Sequence, residues 1–176
     1  MKRLILMLAL SIGASTANAN EFGVSPVTYQ IGDQGPAGGI VFYISQDGSS
    51  GMEAALADAG RAEWGCIEKD LPTRTNIGYG YANTRIINWL CGNSTAAYLA
   101  ANYTWPNGQT GGFLPSKDEL NELYKHKDLV GGFASGYYWS SSEYHSFAAW
   151  LQSFYSGNQD YLDKPNTYLV RAVRAF

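Results

Sequence analysis

The stretch FLPSKDELNELYKHKDLVGGFASGYYWSSSE, residues 113–143, changes its periodicity half-way. Up to Asp128 it reads as a helix. Ser116 followed by Glu119 forms a capping box, in which each side chain satisfies a backbone amide of the first turn. Pro115 immediately before it suits a helix entry. Leu120, Leu123 and Tyr124 fall on one apolar stripe, with Glu119, Asn121, Glu122 and Lys125 facing away. Asp118 and Glu119 meet the positive end of the helix dipole. Gly131-Gly132 ends the segment, and from Tyr137 the aromatic and hydroxyl residues read as a strand.

The same division extends along the chain. Upstream, glycines at 32, 35 and 38 briefly imitate a collagen period, but the run is too short to hold a triple helix. It reads as a turn feeding a strand over 40–44, where β-branched and aromatic residues cluster. A second short strand is expected over 52–57, and a long loop over 58–82, tied down at Cys66. Ile86, Ile87, Leu90 and Cys91 have helical spacing. Gly92 and Asn93 stop that helix, and Ser94 can cap another that runs to about Asn102. Downstream, strands are expected over 137–141, 148–155, 159–162 and 168–176, with a turn at 156–158. Helices followed by a terminal antiparallel meander imply an α+β, loop-rich fold with the helices packed on the meander.

Residues 1–19 read as a signal peptide. Lys2 and Arg3 precede an apolar run from Leu4 to Ile12, and Ala17-Asn18-Ala19 fits the small-x-small cleavage pattern. The run is shorter than the roughly 20 residues that span a bilayer. Residues 20–30 form a lead-in, and 31–176 the folded domain. Without Lys2 and Arg3, ten Lys and Arg stand against fifteen Asp and Glu, a net charge of −5. No basic footprint for nucleic acid is present, and no later segment suits membrane insertion. The destination is secreted, periplasmic or cell-surface. Export makes Cys66 and Cys91 a disulfide rather than a metal or redox pair, because their spacing matches neither CxxC nor a zinc pattern.

Six stretches then occur in a recognisable order: GDQGPAGGIVFYI (32–44), IGYGYANTRII (77–87), FLPSKDELNELY (113–124), YWSSSE (138–143), AWLQSFYSGNQ (149–159) and VRAVRAF (170–176). On these the chain resembles the C-terminal domain family of the Legionella collagen-like adhesin. The resemblance implies a C-type lectin-like fold, a glycan or extracellular polymer as partner, sulfated glycosaminoglycans among them, and a homotrimer. It implies no cofactor. The present chain carries no collagen stalk and is acidic, so a neutral sugar fits as well as a polyanion. The formylglycine-generating enzymes share that fold, but their reactive cysteine pair near the C-terminal end has no counterpart here.

Sugar recognition uses aromatic faces and planar polar groups. Tyr144, Tyr155 and Tyr161 are candidates, with Gln152, Asn158, Gln159 and Asp160 as polar contacts. Glu143 is expected to form a structural ion pair with Arg171 or Arg174, which strict alternation sends to opposite sheet faces. Two other chemistries have their residue types here. Ser140, Ser141 or Ser142 with His145 or His126 would make a hydrolase, but no G-x-S-x-G elbow accompanies them. Asn158, Asp160, Asp163 and Asn166 are hard oxygen donors, but Lys164 interrupts them, so a solvated loop is expected in place of a calcium site. The reading is therefore a non-catalytic binding domain; a self-assembly role is the alternative.

Overall fold

The computed structural model describes residues 27–176. The signal peptide and the lead-in up to residue 26 lie outside the described residues. The described residues form two sheets and four helices, an α+β arrangement. Strand β1 (Ile40–Ile44) pairs antiparallel with β2 (Gly51–Ala54), and β2 with β8 (Val173–Ala175). The second sheet has the order β3-β7-β4-β5-β6, built from Gly60–Ala62, Tyr168–Val170, Tyr137–His145, Ala148–Ser153 and Gln159–Asp163. Helices α1 (Gly80–Cys91), α2 (Ala96–Ala101), α3 (Lys117–Lys125) and α4 (Lys127–Val130) lie between β3 and β4 in the chain. No described helix is long and apolar enough to cross a membrane.

The expected meander is only partly present. β4, β5 and β6 follow one another antiparallel, but β7 returns beside β4 in parallel, with Tyr138 opposite Leu169. The segment over 168–176 is two short strands in different sheets. After Val170 the chain crosses from one sheet to the other, and Val173 resumes pairing against Ala54. Strand β3 occupies part of what reads as a loop. Its three residues pair with β7, a partner more than a hundred residues away that no local pattern announces.

The capping box is present in full: the Ser116 hydroxyl accepts from the Glu119 amide, and the Glu119 carboxylate from the Ser116 amide. Leu120 and Leu123 are buried as the stripe requires, but Glu119 is buried too and does not face away. Its carboxylate also accepts from the amides of Gly78 (2.7 Å) and Gly80 (3.3 Å). A second capping box partner therefore ties α3 to the loop that starts α1. Thr95, not Ser94, caps α2, accepting from Tyr98 at 3.1 Å.

Trp64, Trp105 and Trp139 are enclosed with Ile87, Leu114 and Leu151 between the helices and the larger sheet. Phe42, Leu120, Leu123, Tyr138 and Phe154 fill the space between the sheets and α3. Cys66 and Cys91 are bonded, at a sequence separation of 25. This staples the irregular segment after β3 to the end of α1. In the chain-entropy account such a loop stabilises the fold by about 3 kcal/mol. Replacing both cysteines with serine is expected to lower unfolding stability by about that amount, measured from urea midpoints. Unchanged midpoints would mean that the helix end and the loop are held without the bond.

Candidate functional site

The outer face of β4, β5 and β6 carries a cluster of exposed rings. The register sets Trp150 opposite Tyr161, so both project on one side. Tyr144 lies flat on Tyr161, with ring centroids 3.7 Å apart and planes 16° from parallel. Trp150 meets both edge-on, at 5.1 and 5.7 Å. His145 flanks Tyr144 at 5.0 Å, and Phe147 stands beside His145. The Lys117 ammonium sits 4.2 Å from the centre of the Trp150 ring. Tyr144 and Tyr161 nevertheless keep 44% and 42% of their surface open. Hydrogen bonding to Tyr144 pushes the Tyr161 phenol above its ordinary value of 10.0, and the repulsion of any charge on Tyr144 acts in the same direction. Tyr161 is therefore a neutral phenol at physiological pH.

Of the residues proposed from sequence, the structure brings together Tyr144 and Tyr161; Asp160 is exposed, but it pairs with the buried Leu151 and so projects on the other face of β6. Tyr155 is 80% exposed but stands on the β5–β6 turn and belongs to none of the ring pairs of the platform. Asn158 is exposed on the same turn. Gln159 is half-buried and donates to the Lys117 carbonyl at 2.9 Å, which places Lys117 over Trp150. Gln152 is fully buried and is no contact residue. Its amide donates to Asn121 Oδ1 and to the Gly157 carbonyl, both at 3.0 Å, and so locks the turn. Trp150 was missed because only the strand register shows that it shares a face with Tyr161; Lys117 reaches it from the start of α3 and Phe147 stands beside His145 in the β4–β5 turn, contacts that no local pattern announces.

The ion pair is also different from the expected one. Glu143 pairs with Lys164 at 2.8 Å. Arg171 pairs with Asp58 at 2.8 Å, and Arg174 meets the Gln109 side chain. The cause is the crossing between sheets, which carries both arginines away from β4, while the turn after β6 returns Lys164 beneath it. Asn158, Asp160, Asp163 and Asn166 are strung along β6 and its flanking turns. Among the described residues no three acidic, histidine or cysteine side chains converge as a metal site requires.

All three serines of the 140–142 run are buried. Ser140 donates to the Trp150 carbonyl and Ser142 to the Arg74 carbonyl, each at 2.8 Å. Ser141 accepts from the Asn83 amide at 3.2 Å. His145 Nδ1 accepts from the Phe147 amide. No imidazole touches any of the three hydroxyls, so the nucleophile–base contact of a hydrolase is not formed there. These hydroxyls pin the 73–75 segment and α1 to the bulged part of β4.

A groove of about 510 Å³ opens against β8, sharing no lining residue with the platform. Tyr43, Met52, Ile77, Tyr81 and Phe113 give it an apolar lining, with Glu119 and Arg174 as its charged residues. A shallower one of about 430 Å³, which shares Tyr81 and Gly112 with it, runs under Trp89 of α1. Burial pushes the Glu119 carboxyl above its ordinary 4.5, against the pull of its three amide donors. The fold thus prefers the neutral acid, and that stability is fully present below about pH 4.5 and lost as pH rises through the folded value. Glu119→Gln is neutral throughout, so the wild type is expected to lose stability relative to it as pH rises above about 4.5. Urea midpoints measured in parallel check this, and parallel curves for the two chains would refute it.

No known protein family matches this chain, and no curated protein is similar enough to count as a relative.

Proposed function

We propose that this chain is an exported, non-catalytic binding domain that holds a neutral glycan on the Tyr144–Tyr161–Trp150 platform. The stacked, half-open tyrosine pair is the observation that carries this reading. A pyranose has one face of C–H groups that packs on aromatic rings, and a rim of hydroxyls that needs donors and acceptors nearby. The platform supplies the first, and His145 and the phenol hydroxyls the second. A sulfated polymer would call for several cations in a row. Here Lys117 is the lysine at the platform, and its charge is already placed over Trp150. The mixed α+β architecture and the six ordered motifs agree with a C-type lectin-like fold of the Legionella adhesin C-terminal type, and support the reading without adding a ligand.

The test is a glycan array followed by titration with the best binder. Tyr144→Ala with Tyr161→Ala is expected to weaken binding at least about tenfold, since each stacking contact is worth about 0.5–1.5 kcal/mol beyond its buried area. The reading fails if no glycan class binds above background, or if the double variant binds as tightly as the parent.

One observation favours a second reading, self-association. Trp89 is 84% exposed on α1, with Leu90 and Tyr81 also open. Apolar surface of this kind commonly marks a contact with another protein surface. Light scattering would show a trimer that Trp89→Ser dissociates.

A further inference from the structure

Tyr144 and Tyr161 come from strands that are not neighbours, since β5 lies between β4 and β6 in the sheet. Their rings nevertheless overlap face to face, with centroids 3.7 Å apart and planes 16° from parallel. The two phenols point the same way, because the Tyr144 hydroxyl acts on the Tyr161 hydroxyl as a hydrogen-bond partner. Overlapping rings whose hydroxyls meet also bring the carbons ortho to those hydroxyls into van der Waals contact. The other tyrosine pair among the described residues, Tyr137 and Tyr168, stands edge-on at 5.7 Å and 68° and has no such overlap. Tyr155 is 80% exposed but stacks on no other tyrosine of the described residues.

A phenol that loses one electron and its hydroxyl proton becomes a phenoxyl radical, with its spin on the oxygen and on the ortho and para ring carbons. In tyrosine the para carbon carries the side chain, so two such radicals join through ortho carbons. The stack holds those carbons together before any oxidation occurs, and such positioning turns a bimolecular coupling into an intramolecular one. Both rings are partly open to solvent. Water can therefore take the released protons, and the rings are free to turn out of the stack as a bond forms between them. The Cys66–Cys91 bond is of a kind that persists in oxidising surroundings.

We propose that Tyr144 and Tyr161 are a site of oxidative cross-linking, joined ring to ring by a haem peroxidase with hydrogen peroxide as the oxidant. Each phenol gives up one electron and one proton. A carbon–carbon bond forms between the two ortho positions, and the hydrogen on each of those carbons moves to its own ring oxygen. One hydrogen peroxide takes up the two electrons and two protons and leaves as two waters. The product is a dityrosine that ties the edge strand β6 to β4 across β5. The proposal stands on the ring geometry and does not depend on the glycan reading.

The experiment exposes the dilute, disulfide-bonded protein to a haem peroxidase and limiting hydrogen peroxide. A single-chain product lighter by two hydrogens is expected, with dityrosine fluorescence and, after proteolysis, a peptide pair joined at positions 144 and 161. Tyr144→Phe and Tyr161→Phe should each lower the fluorescence of the single-chain product at least about tenfold, because the positioned partner is lost. Tyr155→Phe should leave it unchanged, although exposure alone would favour Tyr155. Circular dichroism verifies that each variant is folded. The proposal is overturned if the single chain gains no dityrosine, if its fluorescence persists in Tyr161→Phe, or if the only products are dimers joined through Tyr155. No glycan enters the assay, so failure of the glycan reading and failure of the cross-link are told apart.

Discussion

Replacing Arg171 with methionine is expected to lower the unfolding free energy by about 3–5 kcal/mol, the cost of breaking a buried pair from one side. The guanidinium is fully enclosed and all its donors are used. Nε donates to Asp58 at 2.9 Å, Nη1 to the carbonyls of Ala55 and Gly131 at 2.8 and 3.2 Å, and Nη2 to Gly132 at 2.5 Å. Its flat face lies 3.9 Å from the centre of the Phe133 ring. One side chain therefore joins the end of β2, the segment after α4 and the crossing between the sheets. Methionine fills similar space but leaves three carbonyls without this donor and takes the cation away from the Asp58 carboxylate. Tyr138, which donates to Asp58 at 2.9 Å, cannot replace them. Asp58→Asn alone is expected to cost less, because Asp58 is partly open to water and the arginine keeps its carbonyls. Urea unfolding of the single and double variants tests this; a loss below about 1 kcal/mol for Arg171→Met would contradict the assignment.

Lys164→Met is expected to have an effect of the same size, about 3–5 kcal/mol, but confined to a different part of the molecule. Lys164 is wholly buried, which lysine tolerates only with its charge matched. Its ammonium donates to Glu143 at 2.8 Å and to the carbonyls of Lys69 at 2.9 Å and Cys66 at 3.2 Å, below the face of Trp64. The other oxygen of Glu143 accepts from the Leu71 amide at 3.0 Å. The pair thus sews the irregular 66–71 segment to β4, and the disulfide fixes its other side to α1. Without the ammonium, Glu143 is a half-buried carboxylate with one amide partner. Hydrogen exchange should show lost protection at Leu71, with the Trp150–Tyr161 register unaffected. Glu143→Gln added to Lys164→Met should recover part of the loss, since the unpaired charge is gone. Uniform loosening of both sheets, with no excess at Leu71, would count against this local role.

These two side chains mark how far the sequence could be read. Arg171 was visible as a cation in a strand that needed a partner, and Glu143 as a carboxylate that needed one. Pairing them with each other followed from treating 168–176 as a single strand in a meander. The partners differ because two short strands of three residues each belong to different sheets. Lys164 appeared as a loop residue that spoils a calcium site, and nothing local indicates that it is buried under Trp64. The platform was half legible: Tyr144 and Tyr161 are aromatics on strands near a turn, but that they stack is a consequence of register. Gln152 had the same local signature as a surface residue and is buried.

The chain by itself determined what depends on neighbours within one or two turns: the α3 capping box, the stripe of Leu120 and Leu123, the strand over 40–44, the α+β class and the single Cys66–Cys91 bridge. Periodicity, capping and turn chemistry act over a few residues and are written in them. Tertiary structure alone decided the parallel return of β7, the burial of Glu119 and Lys164, the partners of the two arginines, the ring platform and the groove at β8. Each of these is a contact between segments tens of residues apart, chosen by which pairing satisfies buried charges and backbone groups together, and no short window of residues contains that comparison.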